Sequence, residues 1–309
     1  MENQQQKFSQ TGSVGHESAY PSSTALVLEG GSYRGIFTAG ILDVLREKGV
    51  TNFESVWGVS AGAINAVSFR SKQMGRAMRI MLAFRDDPRF LSLRSLITTG
   101  DIACAEFMFD EIQNHLDPCD NEEFNQNPMQ MYVVASDVTF GTSAYLHVKK
   151  FPEDIAMIRA STAMPTVSRI VELDGHRYLD GGTTDSIPFA AALGLPDGKA
   201  ERAVDIPDHK PAKKALVIVT QDRNFVKTDT NEQFAIRSQL YSAYPYFETA
   251  LASRAERCRC HNDRIRNKGI FRVAGFVTIR PIHQHFPPDI FLISQKSLSA
   301  CTVSCFSTC

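Results

Sequence analysis

The chain has 309 residues, 43% apolar and 22% charged, an ordinary globular mix that excludes collagen-like, coiled-coil and wholly disordered chains. With 33 Lys and Arg against 34 Asp and Glu its formal charge is -1, so it lacks the basic excess of a dedicated nucleic-acid binder, and no nucleic-acid partner is expected. No apolar run reaches the roughly 18 residues that span a bilayer, and the polar start Met1-Glu2-Asn3-Gln4-Gln5-Gln6 holds no signal-peptide core, so a cytoplasmic location is expected.

Residues 1 to 23 are rich in Gln, Ser and Gly without periodicity and are expected to be a disordered leader. Order begins at Thr24-Ala25-Leu26-Val27-Leu28, an apolar run fit for a buried strand. A Gly-rich turn follows, and then Ile36, Gly40, Ile41, Val44 and Leu45 recur at helical spacing up to Lys48-Gly49. Ser55 to Val59 is the next strand, and Ala63 to Phe69 the next helix. Strand, turn and helix, twice over, open an α/β fold whose sheet is mainly parallel. Met74 to Phe84, Ala103 to Leu116 and Asp154 to Ala160 read as helical, and Gln130 to Ser136 and Ala215 to Thr220 as buried strands. Asp174-Gly175 between Val171-Glu172-Leu173 and His176-Arg177-Tyr178-Leu179 predicts a two-residue hairpin.

Three short segments carry the chemistry. Gly58-Val59-Ser60-Ala61-Gly62 fits G-x-S-x-G between a strand and a helix, the setting of a nucleophile elbow. Gly58 and Gly62 permit a sharp turn that lifts Ser60 from the sheet edge; a plain Gly-Ser turn with Ser60 as helix N-cap is the alternative. Gly30-Gly31-Ser32-Tyr33-Arg34-Gly35 also joins a strand to a helix, and its backbone N–H groups can converge on a phosphate or an oxyanion. Asp180-Gly181-Gly182 follows the hairpin strand; on its own an Asp here reads as a cap of its own turn.

Together, in this order and with their flanks, the three segments resemble the patatin-like phospholipases, in their compact bacterial branch. Ala135-Ser136-Asp137-Val138 and Asp185-Ser186-Ile187-Pro188 are similar to family segments as well, and the resemblance covers about residues 24 to 225. It implies a three-layer αβα fold with a mainly parallel central sheet. It also implies a Ser-Asp dyad: Ser60 attacks an ester carbonyl to form an acyl-enzyme, and Asp180 takes its proton and later activates water. The oxyanion hole is then built from Gly30, Gly31, Ser32, Arg34 and Gly35, with Arg34 bracing the loop. The substrate is a lipid or other acyl ester, and no metal or organic cofactor is implied. One departure is Ser32 where the family has glycine; if that position needs a left-handed backbone, the loop is strained. The runner-up function is a non-catalytic module whose Gly-rich loop binds a lipid headgroup or phosphate.

Other features weigh less. His209, His261, His283 and His285 lie late enough to complete a Ser-His-Asp triad but have no supporting motif, and His176 sits beside Asp180 in the hairpin. Arg70, Lys72, Arg76, Arg79 and Arg85, and a second set from Arg254 to Arg272, offer peripheral contact with an anionic membrane surface or simply a solvated helix face. Seven cysteines cannot all pair with one another; Cys258-Arg259-Cys260-His261 resembles half a metal site without a matching pair. The expected organisation is a leader at 1–23, an acyl hydrolase domain at 24–256 and a divergent segment at 257–309.

Overall fold

A computed structural model describes residues 23–197, 201–221, 227, 230–266 and 276–279. The leader, His283, His285 and the three terminal cysteines therefore lie outside the described residues, Ser23 excepted.

Among the described residues one eight-stranded sheet organises the fold. Its central strands are β1 (Thr24–Leu28), β2 (Ser55–Val59), β3 (Gln130–Asp137) and β7 (Lys214–Ile218), all mutually parallel, with β8 (Phe276–Ile279) parallel beyond β7. β4 (Thr142–Val148) and β6 (His176–Asp180) run antiparallel to β3, and β5 (Val171–Leu173) pairs with β6. The mainly parallel α/β fold expected from the alternating elements is what forms. At the β5–β6 turn Asp174 and Gly175 both take positive φ, +53° and +78°, the backbone that Asp-Gly favours in a tight hairpin.

Alternation along the central strands feeds two apolar layers, because successive side chains point to opposite faces. Leu26, Leu28, Val56, Met131, Val133, Leu216 and Ile218 pack in one core cluster with Leu42 of α1 (Gly35–Glu47), Val67 of α2 (Ala61–Arg70) and Ile158 of α6 (Ile155–Thr162). Ala25, Val27, Trp57, Tyr132 and Val217 face the other way, against Ile187 and the short α7 (Phe189–Ala192). Trp57 stacks on Tyr132 there, with ring centroids 4.3 Å apart.

Some local structure was not foreseen. α4 (Leu93–Thr99) and the antiparallel β4 carry little signal in the sequence. The expected helix over 103–116 forms mainly as a π-helical segment, Phe107–Leu116. Arg70 and Arg76 (on α2 and at the start of α3, Arg76–Phe84) are buried rather than displayed to a membrane. Arg70 donates to the Val148 carbonyl at 2.8 Å, and Arg76 to Gln113 at 2.8 Å and the Asp117 carbonyl at 2.6 Å. Toward the C-terminus, α9 (Pro245–Ala252) is followed by α10 (Arg254–Arg266), which crosses residue 256 without a break; α5 (Asn121–Gln126) and α8 (Thr230–Arg237) complete the helices among the described residues. No helix among them is long and apolar enough to cross a membrane.

Candidate active site

The parallel strands β1 and β2 deliver the two Gly-containing turns side by side at their C-terminal ends, where open α/β sheets place their ligands. At the end of β2, Ser60 has φ +54° and ψ -122°, a backbone that a serine holds only when its surroundings enforce it. They do so through close packing. A β-carbon on Gly58 would come within 2.6 Å of the Ala63 Cα, and one on Gly62 within 2.5 Å of the Leu28 carbonyl oxygen. The Ser60 carbonyl accepts the Ala63 N–H at 2.9 Å and starts α2, but its side chain makes no cap bond, so it is not an ordinary N-cap. Its N–H donates instead to Ser161 Oγ at 3.0 Å.

The loop after β1 lies against this elbow. A β-carbon on Gly30 would sit 3.2 Å from the Ser60 Cβ, and one on Gly35 would be 2.8 Å from the Ala61 Cβ. Ser32 takes φ +49°, so the position does require a left-handed backbone, which glycine adopts without strain. The N–H of Arg34 turns back to the Gly31 carbonyl at 3.0 Å, and that of Gly35 bonds the Ser32 and Tyr33 carbonyls. Of the five loop residues named from the sequence, these two have amides committed to the turn itself. The Arg34 guanidinium reaches Thr220 Oγ1 at 3.4 Å, and Thr220 in turn bonds the buried Glu29 carboxylate at 3.0 Å. Gln221 Oε1, in its better amide orientation, accepts from Arg34 at 2.7 Å. Arg34 thus fastens the loop to the end of β7.

Asp180 ends β6 beside β3, where its N–H bonds the Ala163 carbonyl at 2.7 Å and its own carbonyl accepts the Ser136 hydroxyl at 2.8 Å. The carboxylate accepts the Gly182 N–H at 2.7 Å, so it does cap its turn, yet it also faces the Ser60 side chain. Burial pushes its proton affinity above the usual carboxylate range; Ser60, the Gly182 N–H and the charge of Arg254 pull it partly back. Gly181 is obligatory here, because a β-carbon would fall 2.2 Å from the Val134 carbonyl oxygen. From α10, Arg254 donates to the Gly182 carbonyl at 2.8 Å and pairs with buried Glu232 at 2.7 Å, and Arg257 donates to the Thr183 carbonyl at 2.5 Å.

A cavity of about 120 Å³ opens onto Ser60 and Ser32. Most of its wall is apolar, including Ile64, Ile80, Met81, Met108 and Phe109. Such a slot suits an alkyl chain held end-on to the serine.

His209 lies edge-on to Trp57 at 4.9 Å, His176 Nδ1 meets Asp137 at 3.0 Å, and among the described residues no histidine is one of the groups acting on Asp180. Among the described residues one group has the spacing to hold a cation: Asp185, Asp197 and His261, whose nearest ligand atoms lie within 4.8 Å. Its members already have partners. The Tyr145 hydroxyl and the Ile187 N–H donate to Asp185 at 3.0 and 3.1 Å, His261 faces Asp197 at 3.5 Å, and the positive Arg257 lies close enough to act on both carboxylates.

Ser161, Thr220 and Arg254 had no motif to announce them. Each acts through one side chain on a turn that is distant in sequence.

Residues 26–193 match the family model described as Patatin-like phospholipase. Over 186 residues the chain is 31% identical to the uncharacterized protein YjjU of Escherichia coli, covering 56% of this chain and 49% of that one. It is 30% identical over 174 residues to an uncharacterized NTE family protein of Mycobacterium bovis, covering 55% and 46%. The chain thus spans about half the length of the curated relatives it matches. Among solved structures, VipD of Legionella pneumophila aligns with a TM-score of 0.40 at 13% identity, covering 71% of this chain and 53% of that one.

Proposed function

The chain belongs to the patatin-like phospholipase family, and on that premise we propose that it is a serine acyl-ester hydrolase acting on lipid esters through a Ser60–Asp180 dyad. One observation carries the proposal: a buried carboxylate with raised proton affinity faces a serine held at φ +54° on a strand-to-helix elbow. An aspartate at its ordinary value near 3.9 is a poor base, and desolvation brings it closer to the working range.

In the proposed reaction the Ser60 oxygen bonds to the ester carbonyl carbon while its proton passes to Asp180. The carbonyl oxygen becomes an oxyanion, met by N–H groups of the Gly30 to Ser32 edge. Collapse breaks the ester bond, and the leaving alkoxide takes the proton from Asp180. Water then attacks the acyl-enzyme and gives a proton to Asp180; the bond from the acyl carbon to Ser60 breaks, the serine oxygen takes that proton back, and the fatty acid leaves. Removing one oxyanion donor typically costs about a hundredfold or more in rate. The apolar cavity beside Ser60 supports an acyl chain as the part of the substrate that binds.

Hydrolysis of p-nitrophenyl esters of graded chain length by wild type, Ser60→Ala and Asp180→Asn tests this. Turnover by wild type with both variants at background is expected. A wild type inactive on every ester would leave the loop as an anion-binding element and Ser60 as a turn residue.

A further inference from the structure

The wall of the cavity beside Ser60 is not uniformly apolar. Asp101 and Arg159 lie on it together with Thr162 and Ser168. Asp101 is 5% exposed and serves two guanidinium groups. The backbone N–H of Arg169 donates to one Asp101 oxygen at 2.8 Å and its Nε to the other at 3.4 Å, while Arg159 Nη2 stands 3.6 Å from that second oxygen. The two guanidinium groups thus stand almost equally close to the same Asp101 oxygen, at 3.4 and 3.6 Å. For Arg159 the 3.6 Å ion pair is the guanidinium's sole contact among those described, although the group carries five N–H donors. Two positive charges share one negative charge at the side of an apolar slot.

The placement of Arg159 is tied to the nucleophile. It sits on α6 with Thr162, which also lines the cavity, and Ser161 of the same helix accepts the Ser60 N–H at 3.0 Å. A ligand whose carbonyl lies at Ser60 thus meets a cation at a fixed offset. A guanidinium favours the planar, bidentate geometry of phosphate oxygens.

We propose that Arg159 is a specificity-determining residue that receives the phosphate group of a single-chain phospholipid, the single charge of Asp101 being shared between Arg159 and Arg169 and leaving one positive charge unmatched. This rests on the acyl hydrolase reading for its substrate. The apolar wall takes the chain, and the arginine distinguishes a phosphorylated lipid from a neutral one.

Equilibrium binding to the Ser60→Ala protein, which cannot turn substrate over, tests the subsite directly. The probes are a 1-O-alkylglycerol phosphate, the 1-O-alkylglycerol with the same chain, and glycerol phosphate. The phosphorylated ether is expected to bind about tenfold or more tightly than the neutral one, the size of one charge-assisted hydrogen bond. Adding Arg159→Gln removes most of that preference, and Arg159→Lys keeps part of it. Equal affinity for the two ethers would overturn the proposal, as would equal weakening of both by Arg159→Gln, which marks a structural role. Glycerol phosphate binding as tightly as the ether phosphate would make this a free-phosphate site instead. Ester turnover by the wild type reads the hydrolase assignment separately: a phosphate preference without turnover keeps the subsite and removes the hydrolase.

Discussion

The N–H of Ser60 donates to the Oγ of Ser161, 101 residues further along the chain, at 3.0 Å. That bond ties the backbone of the elbow to α6, whose Arg159 and Thr162 line the cavity beside Ser60. It also means that the amide of Ser60 itself is already engaged.

Replacing Ser161 with Ala leaves this N–H without its acceptor. Ser161 is fully buried while Ser60 is half-buried, and losing such a hydrogen bond costs about 1 kcal/mol. The elbow also loses a restraint on its strained φ. Denaturant unfolding should show that loss of stability, and kcat on a p-nitrophenyl ester should fall more than KM changes. A variant as stable and as active as wild type would show that the bond is incidental.

Asp180→Asn separates stability from activity. A carboxyl whose folded-state proton affinity is raised contributes most to stability below its unfolded value, about 3.9, and loses that contribution as pH rises through the folded value. At neutral pH the ionised, desolvated Asp180 therefore burdens the fold, and neutral Asn should relieve it while keeping an oxygen for the Gly182 N–H. Thermal melts should show Asp180→Asn more stable than wild type near neutrality, with the gain shrinking toward about pH 4. A gain that grows in acid would contradict the sign of the shift.

Arg254 lowers the proton affinity of Asp180 and bonds the Gly182 carbonyl at 2.8 Å. As a base, Asp180 must be ionised, so kcat/KM should fall on acidification through its folded value. Arg254→Gln removes the positive charge and should move that acid limb to higher pH. Arg254→Lys keeps the charge and should move it less. A drop in rate with an unmoved limb in both variants would reduce Arg254 to a structural brace.

Ser32 is exposed at φ +49°. A left-handed backbone costs a residue with a β-carbon roughly 1–2 kcal/mol, partly offset by the greater unfolded-state entropy of glycine. Ser32→Gly should be neutral to about 1 kcal/mol stabilising, where glycine at an ordinary loop site destabilises, and ester turnover should be equal or faster. Chemical denaturation with parallel kinetics checks both.

Much of the outcome was legible in the residues. The buried strands, the Asp-Gly hairpin and the two Gly-containing turns are local: each is specified by a few neighbouring residues through apolar alternation, positive φ or the lack of a β-carbon. Ser60, Asp180 and the Gly30–Gly35 loop stand out as short turn segments, and the roles expected of them came from the resemblance of the three segments together to the patatin-like phospholipases. Even the conflict at Ser32 could be posed from the chain, although only the backbone shows that the position is left-handed.

What joins these pieces is non-local, and tertiary structure alone decided it. Gly181 is obligatory because β3 passes beneath it, and Ser161 matters because α6 packs against the elbow. Arg254 and Arg159 are single charges without a motif, on helices whose sequence reads as an ordinary polar or apolar face. Their roles come from the burial of Asp180 and from the closure of a cavity between α2, α6 and the segments around α4. Burial sets the proton affinity of a carboxylate, and which partners share that burial depends on how the parallel sheet brings distant segments into contact.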